Sequence, residues 1–388
     1  MTSRIELELR KFVAPEFVFG DGARLLTGQY ARNLGAFRVL VVTDPGVMEA
    51  GWTGDVIKSL EQEGLSCTLF CDVTPNPTAE QAMAGAAAYL EGGCNAIVAV
   101  GGGSPMDCAK AIGIVNANGG HILQYEGVDK PTRPVPPLIC VPTTAGSSAD
   151  VSQFAIITDV ERRVKIAIVS KTIVPDAALI DPRTTTTMGA ELTAHTGMDA
   201  FCHATEAYVS NANSAVTDAH ALEAIRLISE SLRIAVSDTL DIQARGKMML
   251  GSLFAGLAFS NAGLGAVHAM AHSLGGLLDL PHGECNAILL EHVIRLNFAS
   301  APERYRNIAA ILGSPVETPS EEDATESLVA SIAELRRSVG VDASLGQMGM
   351  RYEDIPELAV KAARDPCLVT NPAVLDRSDI EKAYERAF

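Results

Sequence analysis

Short β-branched runs alternate with helical patterns through the first half of the chain. Arg38–Asp44 (RVLVVTD), Cys67–Val73, Asn95–Val100 (NAIVAV) and Pro137–Thr143 read as strands, and Asp55–Gln62, Ala79–Glu91 and Pro105–Val115 read as helices. Such alternation predicts a mostly parallel sheet with helices on both faces. From about Gly189 the pattern changes. Glu191–Tyr208, Ser214–Ser237, Ile242–Ser260 and His268–Leu277 repeat apolar residues at helical period, rich in alanine and leucine, and further helical segments follow. The fold expected is an α/β domain over residues 1–185 and an all-helical domain over 186–388. They join near Asp181–Gly189, where DPRTTTTMG forms a connector of Pro, Thr and Gly. Phe12–Gly20 (FVAPEFVFG) suits an edge strand that pairs with a second subunit, so a homodimer or higher homo-oligomer is expected.

The 388 residues, 47% of them hydrophobic, can bury a core large enough for two domains. A formal net charge of −17 opposes binding to nucleic acid or to an anionic membrane surface. No run approaches the roughly 18 apolar residues of a membrane span, and MTSRIELELRKF mixes charges where a signal peptide would be apolar. A cytoplasmic location is therefore expected. The eight cysteines are scattered without a CxxC pair, which suits reduced thiols.

Two polar turns follow predicted strands. The first is Gly101-Gly102-Gly103-Ser104-Pro105-Met106-Asp107, where glycines let the backbone approach a phosphate, Ser104 is placed to cap the next helix and Pro105 to open it. A ligand-free strand-to-helix turn would read the same way. The second, Pro142-Thr143-Thr144-Ala145-Gly146-Ser147-Ser148, offers hydroxyls at the same carboxyl edge of the sheet, where open α/β sheets place ligands. Asp44, at the end of its strand, can take a ribose 2′-hydroxyl and repel a 2′-phosphate, which favours NAD over NADP; its alternative role is a turn before Pro45.

One carboxylate and three imidazoles between Asp199 and His282 have spacings suited to a single divalent metal. Asp199 and His203 share one helix face, as do His268 and His272, and His282 opens a turn at His282-Gly283. Three imidazoles and a carboxylate suit Fe(II) or Zn(II) better than Mg(II) or Ca(II). The competing reading is a set of satisfied core histidines. His195 lies on the stripe of Asp199 and His203, and is expected near solvent in the first turns of its helix.

With these motifs in hand, the chain resembles the iron-containing (group III) alcohol dehydrogenase family. The resemblance rests on GGGSPMDCAK (Gly101–Lys110), PTTAG (Pro142–Gly146), TGMDAFCHATEAY (Thr196–Tyr208) and GLGAVHAMAHSLGGLLDLPHGECNAILL (Gly263–Leu290), with TPNPT (Thr74–Thr78) and TNP (Thr370–Pro372) in support. It covers essentially the whole chain, and the pattern of its departures resembles an ErcA-like subgroup linked to regulation of alcohol oxidation. It implies hydride transfer between NAD(H) and a small primary alcohol or aldehyde, with a metal polarising the substrate oxygen. By position it implies the metal ligands Asp199, His203, His268 and His282, with His272 a catalytic non-ligand beside the nicotinamide. The same correspondence gives Asp44, Asn76, Gly102, Gly103, Ser104, Asp107, Thr143, Thr144 and Lys165 to the cofactor, and Phe259 and Cys367 to the substrate. Two positions depart from the family pattern: Ser147-Ser148-Ala149-Asp150 replaces TGSE, and Ala373 replaces an arginine after TNP. A regulatory protein that keeps the fold and senses alcohol metabolism is the alternative function.

Overall fold

A computed structural model describes residues 9–314 and 320–388 of the chain. Its strands are β1 (Glu16–Phe19), β2 (Arg38–Val42), β3 (Ser66–Phe70), β4 (Ala96–Gly101), β5 (Gly127–Val128), β6 (Leu138–Pro142), β7 (Phe154–Asp159), β8 (Val164–Val169) and β9 (Ala177–Ile180). Six of them form an all-parallel sheet in the order β1-β9-β6-β4-β2-β3. β4 and β6 are buried along their whole length, and β2 at all but its first residue, which is why each reads as a continuous apolar run. The chain moves outward from β2 to β3 and then returns to β4 on the other side of β2. The carboxyl ends of β2 and β4 therefore flank the point where strand order reverses, the usual ligand crevice of such sheets.

The helices between strands begin earlier than the periodicity suggests. Ala79–Glu91 has the expected limits because a capping box fixes its start, Thr78 bonding Gln81 N while the Gln81 side chain bonds Thr78 N. By contrast, the helix expected from Pro105 starts at Gly103 and runs to Asn118, with Gly102 at its N-cap position. Ser104 thus lies inside the first turn and caps nothing. The glycine backbone enters helical geometry before the serine is reached. Asp44 lies beyond its strand, and its Oδ1 accepts from Val47 N at 2.9 Å to start the short helix Pro45–Glu49.

A hairpin of β7 and β8, joined on one side by β5, forms a separate three-stranded sheet that the sequence reading does not contain. β7 buries Ala155, Ile157 and Asp159 on one face, leaving Phe154, Ile156 and Thr158 on the other.

Beyond a 3-10 turn at Pro182–Thr187 every element among the described residues is helical. Ala190–Val209, Ala215–Ser237, Ile242–Ala262, Ala266–Leu278 and His282–Asn297 surround a core that includes Phe201, Ile228, Met248 and Leu274. Residue His282 opens the last of these helices instead of a turn. The break precedes it, where Asp279 adopts a left-handed conformation (φ 53°) and Pro281 holds the N-cap position. Ile242–Ala262 and Ala266–Leu278 meet at 99°. Gly263 makes that bend possible: its φ is +76°, and a Cβ there would lie 2.4 Å from Thr370 Oγ1. Thr370 Oγ1 in turn donates to Leu264 O at 2.6 Å, and Asn371 Oδ1 accepts from Ala266 N at 3.1 Å. The TNP segment is therefore a clamp on the corner that joins the Phe259 helix to the His268 helix. No single helix among the described residues is long and apolar enough to cross a membrane.

Candidate active site

A cleft of about 750 Å³ lies between the carboxyl edge of the sheet and the helical region. It brings together Asp44, Asn76, Gly102, Gly103, Ser104, Asp107, Thr143, Thr144 and Lys165 from the first half with Asp199, His203, Phe259, His268, His272 and His282 from the second. Fifteen of the sixteen expected site residues thus line one space. The exception is Cys367, which is buried in a group with His272 and Asp365 and does not line the cleft. His195 is half-buried in the second turn of its helix and also lines the cleft, outside the compact donor group.

At the metal end, three imidazoles converge on one oxygen. Asp199 Oδ1 is 3.7 Å from His268 Nε2, 3.8 Å from His282 Nε2 and 4.0 Å from His203 Nε2. Asp199, His268 and His282 form the compact part of the set, with donor atoms within 4.8 Å of one another, against the roughly 3.4 Å between donors held about 2.1 Å from a tetrahedral ion. His203 sits at its edge, its ring stacked on His268 with centroids 4.5 Å apart. Helix geometry accounts for the placing. Asp199 and His203 are one turn apart on Ala190–Val209, His268 is in the first turn of Ala266–Leu278, and His282 is the first residue of its helix.

Two residues absent from the sequence reading complete the environment. Glu206, at i+3 from His203 on the same helix, accepts from His268 Nδ1 at 2.6 Å, Val267 N at 2.7 Å and Gly265 N at 3.1 Å. One carboxylate thereby caps the neighbouring helix and holds the Nδ1 proton of His268, which turns the Nε2 lone pair toward Asp199. Asn286, one turn after His282, donates from Nδ2 to Asp199 Oδ1 at 2.7 Å and lies 3.1 Å from Nε2 of both His268 and His282. An amide nitrogen has two hydrogens, yet here it faces three acceptors. The donor set is thus rich in lone pairs and short of positive charge, which fits a bound cation.

The protonation tendencies agree. Burial works against ionising Asp199, but the surrounding imidazoles hold it below the usual carboxylate range. Burial likewise disfavours charge on His268, yet its contacts with Asp199 and Glu206 carry it up to about 9. For His203 burial outweighs the attraction of Asp199 and takes it down to about 4.

His272 Nδ1 is 2.9 Å from Asp365 Oδ2. Burial raises the Asp365 carboxyl, while the charge of and hydrogen bond to His272 outweigh it and bring it down to about 2. The sequence signal for Asp365 was weak, since it is one carboxylate on a loop 93 residues away.

At the nucleotide end, the glycine turn and the PTTAG turn pack tightly. A Cβ on Gly102 would lie 3.0 Å from Thr144 Cγ2, and one on Gly103 3.0 Å from Ser147 Cβ. The amino end of Gly103–Asn118 thus opens onto the cleft without side-chain obstruction. Asn76 has φ 58°, accepts from Lys165 Nζ at 2.7 Å and donates to Asp279 Oδ1 at 2.7 Å, joining the two halves of the chain. Asp107 accepts from Ile156 N at 3.2 Å, and burial lifts its carboxyl to about 6. In the departing segment Ser148 (φ 51°) donates to Ser252 O at 2.7 Å, so this turn is anchored on the Phe259 helix.

Comparison with known proteins matches this architecture. Residues 14–182 match the family model "Iron-containing alcohol dehydrogenase", and residues 193–388 match "Fe-containing alcohol dehydrogenase family, C-terminal". The 1,3-propanediol dehydrogenase of Klebsiella pneumoniae is 40% identical over 95% of this chain and 96% of its own length. The NAD-dependent methanol dehydrogenase of Bacillus methanolicus is 38% identical over 97% of this chain and 99% of its own. A crystal structure of 1,3-propanediol oxidoreductase superposes with a TM-score of 0.95 at 40% identity, covering 98% of this chain and all of that one. The chain belongs to the iron-containing alcohol dehydrogenase family. Its fold and its enzyme class, an alcohol dehydrogenase, follow from that membership.

Proposed function

We propose that the protein interconverts small primary alcohols and aldehydes with NAD(H), and that Asp199, His203, His268 and His282 hold one Fe(II), with Zn(II) the other ion this donor set accepts. The observation that carries this reading is the lone-pair-rich group around Asp199 Oδ1, set in the same cleft as the glycine turn. When bound, the metal supplies Lewis acidity to the alcohol oxygen and the nicotinamide accepts the hydride. Gly102, Gly103 and Ser104 present backbone N–H groups to the pyrophosphate, while Thr143 and Thr144 wall the turn opposite. Asp44 takes the adenosine ribose hydroxyls, and Asn76 holds Lys165 toward the same cofactor. Asp365 occupies Nδ1 of His272, which leaves Nε2 to receive the alcohol proton. Phe259 borders the substrate, and Cys367, whose N–H donates to Asp365 Oδ1 at 2.8 Å, supports the His272–Asp365 pair.

The domain division at residues 185 and 186 runs along this cleft, and the cytoplasmic assignment draws support from eight free cysteines. A homodimer is the assembly we favour: β1 pairs with β9 along one edge, and its residues Phe17 and Phe19 are 42% and 38% exposed. NADH absorbance with short alcohols and aldehydes, before and after chelation, tests the activity. Metal-dependent turnover is expected, and cofactor binding without any turnover would favour the sensor instead.

A further inference from the structure

Resting on the alcohol dehydrogenase reading, we propose that Phe154 and Phe259 form an aromatic wall for the substrate's tail, selecting alcohols and aldehydes with an unsubstituted alkyl chain over diols and hydroxyaldehydes. The wall begins at the metal end. The Phe259 ring stacks on His203 with centroids 4.4 Å apart, and Phe154 tilts against Phe259 at 5.7 Å. Both line the cleft, as does Leu264. Strand alternation explains why Phe154 is there: β7 turns Phe154, Ile156 and Thr158 to the cleft, and the Thr158 hydroxyl donates to Asn76 O at 3.3 Å. The strand therefore runs from the nucleotide end, at Thr158, to the substrate end, at Phe154.

A second hydroxyl on the substrate would need a partner at this wall. The buried polar groups flanking the wall are engaged within the protein, and Ser152 is a neighbouring hydroxyl that lines the cleft. Lys110 Nζ donates to Ser152 O at 2.9 Å and Phe154 O at 2.7 Å, and reaches Ser152 Oγ at 3.4 Å. Gln153 Nε2 donates to Ser260 O at 2.6 Å, and Thr370 Oγ1 to Leu264 O at 2.6 Å. Apart from the metal-end imidazoles His203 and His282, the buried side-chain atoms without partners among the described residues belong to none of the cleft-lining positions. A hydroxyl laid against the two rings loses water and finds no partner on either ring, whereas a methylene gains contact.

The experiment compares kcat/KM for 1-butanol and 1,3-propanediol with metal-loaded enzyme and NAD. The expected preference for 1-butanol is about tenfold or more. Phe154→Thr replaces one strand-favouring residue by another and adds a hydroxyl, and should bring the ratio below about threefold, while Phe154→Leu should keep it. A readout without turnover runs beside it: butanamide, an unreactive aldehyde mimic, should bind the NADH-loaded protein more tightly than 3-hydroxypropanamide, followed by NADH fluorescence. A ratio near one, or a preference for the diol in wild-type enzyme, overturns the wall. Failure to oxidise either alcohol overturns the activity itself, and the amide pair then still decides the wall. If Phe154→Thr does not fold, the wild-type ratios are decisive.

Discussion

Replacing Glu206 by Gln tests whether the metal end is built by the protein before any ion arrives. The carboxylate accepts three hydrogen bonds: His268 Nδ1 and Gly265 N on Oε2, and Val267 N on Oε1. Glutamine has one carbonyl oxygen and one amino group, so either orientation sets a donor against a donor. With the oxygen in the Oε2 position, the amino group faces Val267 N–H and loosens the helix start. With it in the Oε1 position, the amino group faces Gly265 N–H and His268 Nδ1, and the imidazole must carry its proton on Nε2, where the ion is to bind. Partners of this kind are worth roughly 10–100-fold in metal affinity, or about 1.4–2.8 kcal/mol. The assay is competition with a chromophoric chelator, using Zn²⁺ and, anaerobically, Fe²⁺, with circular dichroism to verify the fold. Glu206→Gln should lose affinity in that range, and activity should recover as excess metal restores occupancy. Affinity within a factor of two of wild type, in a folded variant, would refute the role given to Glu206.

Asp44→Ser should keep the cap on Val47, because serine also serves at an N-cap, while removing the negative charge near the ribose; the ratio of kcat/KM for NADP over NAD should rise tenfold or more, and an unchanged ratio counts against Asp44 as the discriminator. Asp150 is buried, and burial lifts its carboxyl to about 6, with its own backbone and Lys110 opposing. Its folded pKa therefore exceeds the unfolded value, so the folded state binds the extra proton: its favourable contribution is complete below about pH 4 and is lost as pH rises through about 6. Asp150→Asn should accordingly raise Tm at pH 8, by up to about 3 kcal/mol of stability, and do little at pH 4. A gain confined to acid pH would reverse that argument. Gly146→Ala places a Cβ 2.7 Å from Thr196 O, so it should cost about 1–3 kcal/mol and separate the PTTAG turn from the metal-bearing helix; a melt unchanged within 0.5 kcal/mol, on the order of ordinary surface substitutions, would deny that contact.

Much of this was legible in the chain because the strongest physical signals are local. β2, β4 and β6 lie in the middle of a covered sheet, so their runs are apolar almost throughout, and Thr78 with Gln81 marks a helix start unaided. The β7–β8 hairpin carries apolar runs in FAIITD and VKIAIV, but the local pattern does not tell that they leave the main sheet and pair antiparallel in a sheet of their own. Donor residues of unusual type announced the metal end, whereas Glu206 and Asn286 look like ordinary helix residues until neighbouring helices supply their partners. Glu206 could have been found from its place three residues after His203 on the Asp199 stripe. Cys367 lies off the cleft lining for a different reason. Motif position points it to the substrate, whereas packing sets it in a buried group with Asp365 and His272, off the lining of the cleft.

The central claim is that one ion is held by donors from three helices. Elemental analysis of anaerobically purified protein, with wild type beside His203→Ala and His268→Ala, measures it directly. The account predicts one Fe or Zn per wild-type chain and almost none in either variant, both still folded. Full metal content in the variants, or an active wild type that holds no metal, would contradict it.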